Sequence, residues 1–366
     1  MDPTISNEII DEFGNYKFIL EGVNVSFANA VRRTILSDIE TVVFKTFPYE
    51  ENKSNIIVNT SRFTNEILKH RLSAIPIHNA DFPLNDYTME LDIKNDTDTI
   101  LSVTTKMFKI KQKTGEYISD SEVKKIFPPF ISPFNGSDYY SQFLVLRPQI
   151  SEEMEGEHIQ LTCDFSTGTS KEDGSFNVAG TCSYGRTIDS EKQEEVLISE
   201  RTKWHSETKD IEQEEKNWKL LEGLRYFKPD SFDFIIRTIG VFSNIEILHK
   251  ACDAIILKIN AIIQLIDENT LKIKESENTM ENCYDIILPN EDYTLGNMFQ
   301  YILFNTLFER KIVSYVGFKK LHPHDNFSII RLSYVEETTK DIIKTQMKNT
   351  CEEANGVIQK IRTLFK

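Results

Sequence analysis

The spacing of apolar residues changes period twice within residues 15 to 47. In NYKFILEGV (15–23), Tyr16, Phe18 and Leu20 alternate with Lys17 and Glu21, which predicts a strand. In FANAVRRTILSDIE (27–40), Phe27, Ala30, Val31, Thr34 and Ile35 fall at i, i+3, i+4, i+7 and i+8, which predicts a helix with one apolar or small side. Asn24 or Ser26 is placed to cap its start. ETVVFKTF (40–47) reads as a second strand. Arg32 and Arg33 stand side by side in the middle of the helix, with little acid nearby to balance them.

From about 48 to 228 the texture changes. Pro76, Pro83, Pro128, Pro129, Pro133 and Pro148 interrupt short strand-like runs such as YTMELDI and EHIQLTC, which predicts a β-rich inserted domain. Its tail, 190–218, is highly charged and reads as a solvated helix or loop. FDFIIRTIG (232–240) returns to strand spacing. In 244–266, Leu248, Cys252, Ile255, Ile259, Ile262 and Ile266 recur at alternating four and three, the seam of a long helix. The polar stretch 267–282 reads as a linker.

The order then starts again. CYDIILPN (283–290) is a predicted strand, and 291–307 a helix with Leu295, Met298, Phe299, Ile302 and Leu303 on one face. KIVSYVGFK (311–319) and FSIIRLSYV (327–335) are predicted strands. A last helix, about 338–365, carries Ile343, Met347, Thr350, Ala354, Val357, Ile361 and Leu364 at four-three spacing. The halves also match in residues. Ser26-Phe27-Ala28-Asn29 and Thr294-Leu295-Gly296-Asn297 both read hydroxyl, apolar, small, Asn at a helix start. Ile235-Ile236-Arg237 and Ile329-Ile330-Arg331 both precede a long helix. The chain thus reads as a degenerate internal duplication with a large insert in copy one.

Each copy offers more apolar helix face than its own small sheet covers, and two such faces suggest packing of copy on copy about a pseudo-two-fold axis. Joining them in one chain favours that association by about 4 kcal/mol over separate chains, and the linker reaches up to about 50 Å. The expected seam comprises Phe27, Val31, Ile35, Leu248, Ile255, Ile259 and Ile262 from copy one. Leu295, Met298, Phe299, Ile302, Met347, Ala354 and Ile361 come from copy two.

Composition narrows the function. The chain has 366 residues, 40% hydrophobic, enough for a large core and two or three domains. Its formal net charge is −15, so no basic excess marks a duplex-binding surface; work near DNA would need another chain to hold it. No apolar run approaches the roughly 18 residues of a membrane span, and MDPTISNEIIDEF lacks a signal-peptide pattern, so a soluble intracellular protein is expected. Cys163, Cys182, Cys252, Cys283 and Cys351 are far apart without a C-x-x-C pair, which points to reduced, buried thiols rather than a metal or disulfide framework.

FILEGVNVSFANAVRRTILSDIETVVF resembles the N-terminal signature of the alpha-like subunits of cellular RNA polymerases: bacterial alpha, archaeal D, and the third-largest subunit of RNA polymerase II. NTSRFTNEILKHRLSAIPIH (59–78) is similar to the next signature of that group. GEHIQLTCDFSTGTSKEDGSFNVAGTCSYGRT (156–187) and FDFIIRTIGVFSNIEILHKACDAI resemble later pieces of it. EDYTLGNMFQYILF with VGFKKLHPHDNFSIIRL resembles the smaller partner, the archaeal L type. The resemblance covers most of the chain outside 90–150 and 188–228.

It implies an α+β protein made of two alpha-like dimerisation domains fused as an internal pseudo-heterodimer, similar to an arrangement in some large DNA viruses. Residues 1–47 with 229–266 would form the D-like domain, 48–228 its β-rich insert, 267–282 the linker and 283–366 the L-like domain. It further implies a non-catalytic assembly subunit that nucleates the two largest polymerase subunits, joined by further small subunits. No homo-oligomer, membrane contact or specific DNA contact of its own is expected. The viral resemblance places it in the host cytoplasm and the virion, with the nucleus as the alternative. The resemblance sets Arg32 and Arg33 against the second-largest subunit, an arginine fork suiting carboxylates or backbone carbonyls. The alternative is a solvated pair bonded to Asp38, Glu40 or water. Glu66, His70 and Arg71 extend the same surface, or belong to a salt-bridged helix. Asn29 and Asn297 read as helix-start hydrogen bonders. Relatives often carry a cysteine cluster in the insert, whereas this one holds only Cys163 and Cys182, so no metal and no cofactor is expected.

Catalytic signatures are not evident: there is no nucleophile elbow, P-loop or dinucleotide fingerprint. Asp81 and Asp86 in NADFPLND are too few for a Mg²⁺ site, and His322-Pro323-His324 reads as a turn. A hydrolase would require clustered catalytic groups, a nucleic-acid module a basic groove, and a self-associating structural protein a homo-oligomer.

Overall fold

The computed structural model describes residues 1–79, 83–151, 155–206, 210–277 and 279–366. They form two compact units. The first comprises Met1–Ile35, Ala179–Thr238 and Asn244–Lys366, the second Leu36–Val178 with Ile239–Ser243.

The first unit opens with strand β1 (Thr4–Ile10), strand β2 (Tyr16–Glu21) and helix α1 (Val25–Ser37). Asn24 starts α1, its side-chain oxygen accepting from the Ser26 N–H at 2.9 Å. The chain then passes into the second unit through β3 (Thr41–Val43), β4 (Ser54–Asn59) and helix α2 (Asn65–Ser73). Strands β5 (Tyr87–Lys94), β6 (Leu101–Thr104) and β7 (Lys109–Gln112) follow, then helix α3 (Asp120–Ile126). Strands β8 (Phe130–Ile131), β9 (Asp138–Tyr139), β10 (Gln142–Leu146), β11 (His158–Asp164) and β12 (Ser166–Gly168) complete it. The second unit is built on the antiparallel sheet β4-β11-β5-β7. Alternation along β5 and β11 turns Met89, Leu91, Ile159 and Leu161 into a core shared with Leu68 and Leu72 of α2 and with Phe44, Phe108 and Phe143.

The return to the first unit is β13 (Ala179–Ile188), helices α4 (Ser190–Ser206) and α5 (Ile211–Leu220), β14 (Phe227–Thr238) and helix α6 (Asn244–Asp267). Next come β15 (Ile273–Glu275), β16 (Cys283–Pro289), α7 (Tyr293–Leu303) with one π turn at Phe304–Phe308, β17 (Val313–Lys319), β18 (Phe327–Tyr334) and α8 (Lys340–Leu364).

The strand order repeats between the two halves of the first unit. Copy one forms the sheet β1-β2-β14-β13 and copy two the sheet β15-β16-β18-β17, each antiparallel throughout. In each, the second strand in space leads into a short helix (α1 or α7), and the third leads into a long one (α6 or α8).

Two expectations are corrected. The stretch 267–282 is more than a linker, because β15 pairs there with β16, Lys274 opposite Asp285. Residues Thr4–Ile10 add edge strand β1 to the sheet of copy one. The charged run 190–218 is helical but carries a small core of its own, Leu197, Trp204 and Trp218, flanked by Val196, Ile211 and Tyr226. The compact second unit comprises Leu36–Val178 with Ile239–Ser243, and β13, α4 and α5 lie in the first unit with the sheet of copy one.

Candidate subunit interface

Helix α1 divides its residues sharply. Phe27, Ala28, Ala30, Val31, Thr34 and Ile35 are buried, while Asn29, Arg32 and Arg33 are half-exposed on the other side. The two arginines have different fates. Arg32 donates through Nε and Nη2 to Asn29 Oδ1 at 3.0 and 2.9 Å, one helical turn back. Asn29 therefore fixes the guanidinium instead of closing the helix start. No carboxylate lies within ion-pair distance of Arg32 among the described residues, so its positive charge is oriented but not neutralised. Its field opposes, without overcoming, the burial that pushes the Cys182 thiol up to about 12.

Arg33 turns to copy two. Its Nη2 donates to Asp292 Oδ2 at 3.0 Å and its Nε to Thr294 Oγ1 at 2.9 Å. Asp292 is itself the N-cap of α7, accepting from the Thr294 N–H at 2.8 Å. Arg33 thus ties the first helix of copy one to the first helix of copy two.

In the second unit, Glu66 and His70 are exposed on α2. The Glu66 carboxyl is held below its ordinary range by hydrogen bonds from its own backbone and the Thr64 side chain. Arg71 is engaged within the chain. It donates to the carbonyls of Phe143 and Gln142, the latter at 2.9 Å, and lies over the Phe63 ring at 5.6 Å. Arg71 therefore fastens α2 to β10, a role that no local spacing signals.

The residues expected to form the seam lie on α1, α6, α7 and α8. Phe27, Val31, Ile35, Leu248, Ile255, Ile259, Ile262, Leu295, Met298, Phe299, Ile302, Met347, Ala354 and Ile361 are all buried. Helices α6 and α8 pack side by side and antiparallel. Polar pairs flank the seam at Asp253–Arg362 (2.6 Å), Asn260–Asn355 (3.0 Å) and Asp267–Lys348 (2.5 Å). Each step is seven residues forward on α6 and seven back on α8, two helical turns on each helix. Beyond α8, Phe365 sets its ring edge-on to Phe18 of β2 at 5.1 Å, and Phe18 stacks on Phe234 of β14 at 5.1 Å. The end of copy two thus closes over the sheet of copy one.

Other sequence candidates resolve locally. His322-Pro323-His324 is a turn, with the His322 N–H donating to Asp325 Oδ2 at 3.0 Å. Asp81 lies outside the described residues, and Asp86 ends a short 3₁₀ turn. All five cysteines are buried. No helix of the described residues is long and apolar enough to cross a membrane.

Comparison with known proteins identifies the family of copy one. The RNA polymerase Rpb3/Rpb11 dimerisation domain family matches residues 17–259, from β2 into α6. The DNA-directed RNA polymerase subunit Rpo3 of Pyrococcus horikoshii is 25% identical over 275 residues, covering 67% of this chain and 91% of that protein. A conjugation stage-specific protein of Tetrahymena thermophila is 23% identical over 314 residues, covering 73% of this chain and 95% of its own length. The subunit rpac1 of RNA polymerases I and III from Dictyostelium discoideum is 32% identical over 120 residues, covering 30% of this chain and 29% of its own. With residues 17–259 matched, this chain belongs to the RNA polymerase Rpb3/Rpb11 dimerisation domain family.

Proposed function

We propose that this chain is a non-catalytic assembly subunit of a multisubunit DNA-directed RNA polymerase, with both members of the alpha-like pair fused in one polypeptide. The observation that carries the reading is the repeated strand order: copy two has the topology of copy one and packs long helix against long helix within one compact unit. The family match and the Rpo3 relatives support the polymerase role for copy one. The L-like role of copy two rests on topology, because the family match ends before it.

In this reading α1 is the docking face for the second-largest subunit, and Arg32 is its charged contact. The remaining N–H groups of its guanidinium suit a carboxylate or paired carbonyls. Arg33 holds the two copies in register beneath that face. Glu66 and His70 offer a second contact, with Arg71 fixing their helix. The largest subunit and further small subunits would complete the assembly.

The test is co-purification of the tagged chain with polymerase subunits from its native lysate, beside Arg32→Ala. Recovery of both large subunits by the wild type, with loss of the second-largest by the variant, is expected. Recovery of neither by the wild type would overturn the proposal. Equal recovery of the second-largest by both forms would remove Arg32 from the interface.

A further inference from the structure

The second unit contains a cavity of about 500 Å³ that none of the interfaces above uses. Its apolar wall is Ile93, Met107, Phe108, Val123 and Phe127. Phe108 and Phe127 meet edge to face at 5.4 Å, so the wall is a fixed aromatic surface. Around it stand Lys106, Lys109, Lys124 and Tyr140. Lys106 lies over the Tyr140 ring at 5.9 Å and Lys109 over the Tyr117 ring at 6.0 Å. Neither has a carboxylate partner among the described residues. Lys124 is paired with Asp138 at 2.8 Å, and Asp120 is the lining carboxylate. In a chain of net charge −15, two ammonium groups poised on aromatic rings beside an apolar cavity run against the general sign of the molecule.

We propose that this cavity docks a short acidic segment of a partner protein, one aromatic or aliphatic side chain entering the cavity and flanking carboxylates meeting Lys106 and Lys109. The volume lies within the range of sites that enclose a small ligand or a large side chain. The charges fit carboxylates better than a nucleic-acid strand. A phosphate chain needs a run of cations along its path, whereas here only two of three lysines are available and Asp120 stands among them. The proposal is independent of the polymerase assignment, since it rests on the second unit alone.

The experiment titrates the full chain into a fluorescein-labelled peptide of Glu and Asp around one Phe and one Leu, read by polarisation. Saturable binding with Kd of order 10–100 μM is expected. Lys106→Glu/Lys109→Glu and, separately, Ser121→Trp at the cavity mouth should each weaken it by about tenfold or more. Lys340→Glu/Lys366→Glu, the same charge change placed elsewhere, should stay within about twofold. Matching urea midpoints for all variants show that folding is intact. The proposal is overturned by absent saturation at about 1 mM peptide. It is equally overturned if a peptide with serine for Phe and Leu binds as well, if both charge reversals act alike, or if an oligothymidylate of equal length binds more tightly with the same lysine dependence.

Discussion

Arg33 on α1 and Asp292 at the start of α7 are 259 residues apart in sequence and 3.0 Å apart in space. The Asp292 carboxylate does two things at once: one oxygen caps α7 and the other receives Arg33. The two substitutions should therefore be unequal. Asp292→Ala loses cap and ion pair together, about 1–2 kcal/mol. Arg33→Ala loses a partly screened pair and a hydroxyl contact, about 0.5–1 kcal/mol. In urea unfolding, the double variant should cost less than the sum of the singles. Strict additivity would mean that the contact does not couple the copies.

The duplicated helix starts differ at one place for a steric reason. Copy one has Ala28, fully buried, where copy two has Gly296. A Cβ on Gly296 would lie 2.0 Å from the Phe318 ring of β17. Gly296→Ala must displace that ring from its edge contact with Tyr293, at about 1–3 kcal/mol. Phe318→Leu in the same chain should recover part of the loss. A Gly296→Ala chain as stable as the wild type would show that the ring swings aside freely.

Much of this was legible in sequence, and the exceptions share a cause. The four-three spacing of α6 and α8 announces two buried helical faces because burial of that stripe is what the spacing encodes. Strands β1 and β15 leave no such trace. TISNEII is mostly exposed and IKE has one buried residue, since an edge strand is held by backbone bonds to a neighbour already in place. In 190–218 the charge masked a small core. The chain's two tryptophans, Trp204 and Trp218, both fall there, and that signal was available. The contacts of Arg33 and Arg71 join distant segments, so no local pattern carries them. Arg32 and the α1 apolar side, by contrast, follow from helical geometry alone.

Copy two holds a buried-side ion pair whose effect depends on pH. Asp285 on β16 lies opposite Arg331 on β18, which donates twice to it, at 2.6 and 2.7 Å. Burial pushes the Asp285 carboxyl up, but the hydrogen bonds and charge of Arg331 outweigh it and hold the group below its ordinary value. Its contribution is therefore present above the unfolded value of about 3.9 and disappears as pH falls through the lower folded one. Asp285→Asn should be less stable than the wild type at pH 7 and lose less between pH 5 and pH 3. The measurement is the urea midpoint against pH; parallel curves would rule out this pair as a source of acid sensitivity.

The α6–α8 contact combines an apolar seam with polar pairs every two turns, and magnitudes say which governs. Ile259 is fully buried, so Ile259→Ala should cost about 2–5 kcal/mol through lost transfer energy and the cavity left behind. Asp253 and Arg362 meet at 2.6 Å, yet their side chains remain 49% and 40% exposed, so solvent screens the pair. Removing either should cost under about 1 kcal/mol. What the pairs do hold is register. A slip by one residue would separate all three pairs, whereas a seam of similar apolar side chains tolerates neighbouring alignments better. The triple variant Asp253→Ala/Asn260→Ala/Asp267→Ala should thus unfold at nearly the wild-type urea midpoint. A disulfide-forming pair at positions 260 and 355 should then cross-link less completely when the flanking Asp253 and Asp267 are both alanine. Unchanged cross-linking in that background would assign register to the apolar seam instead.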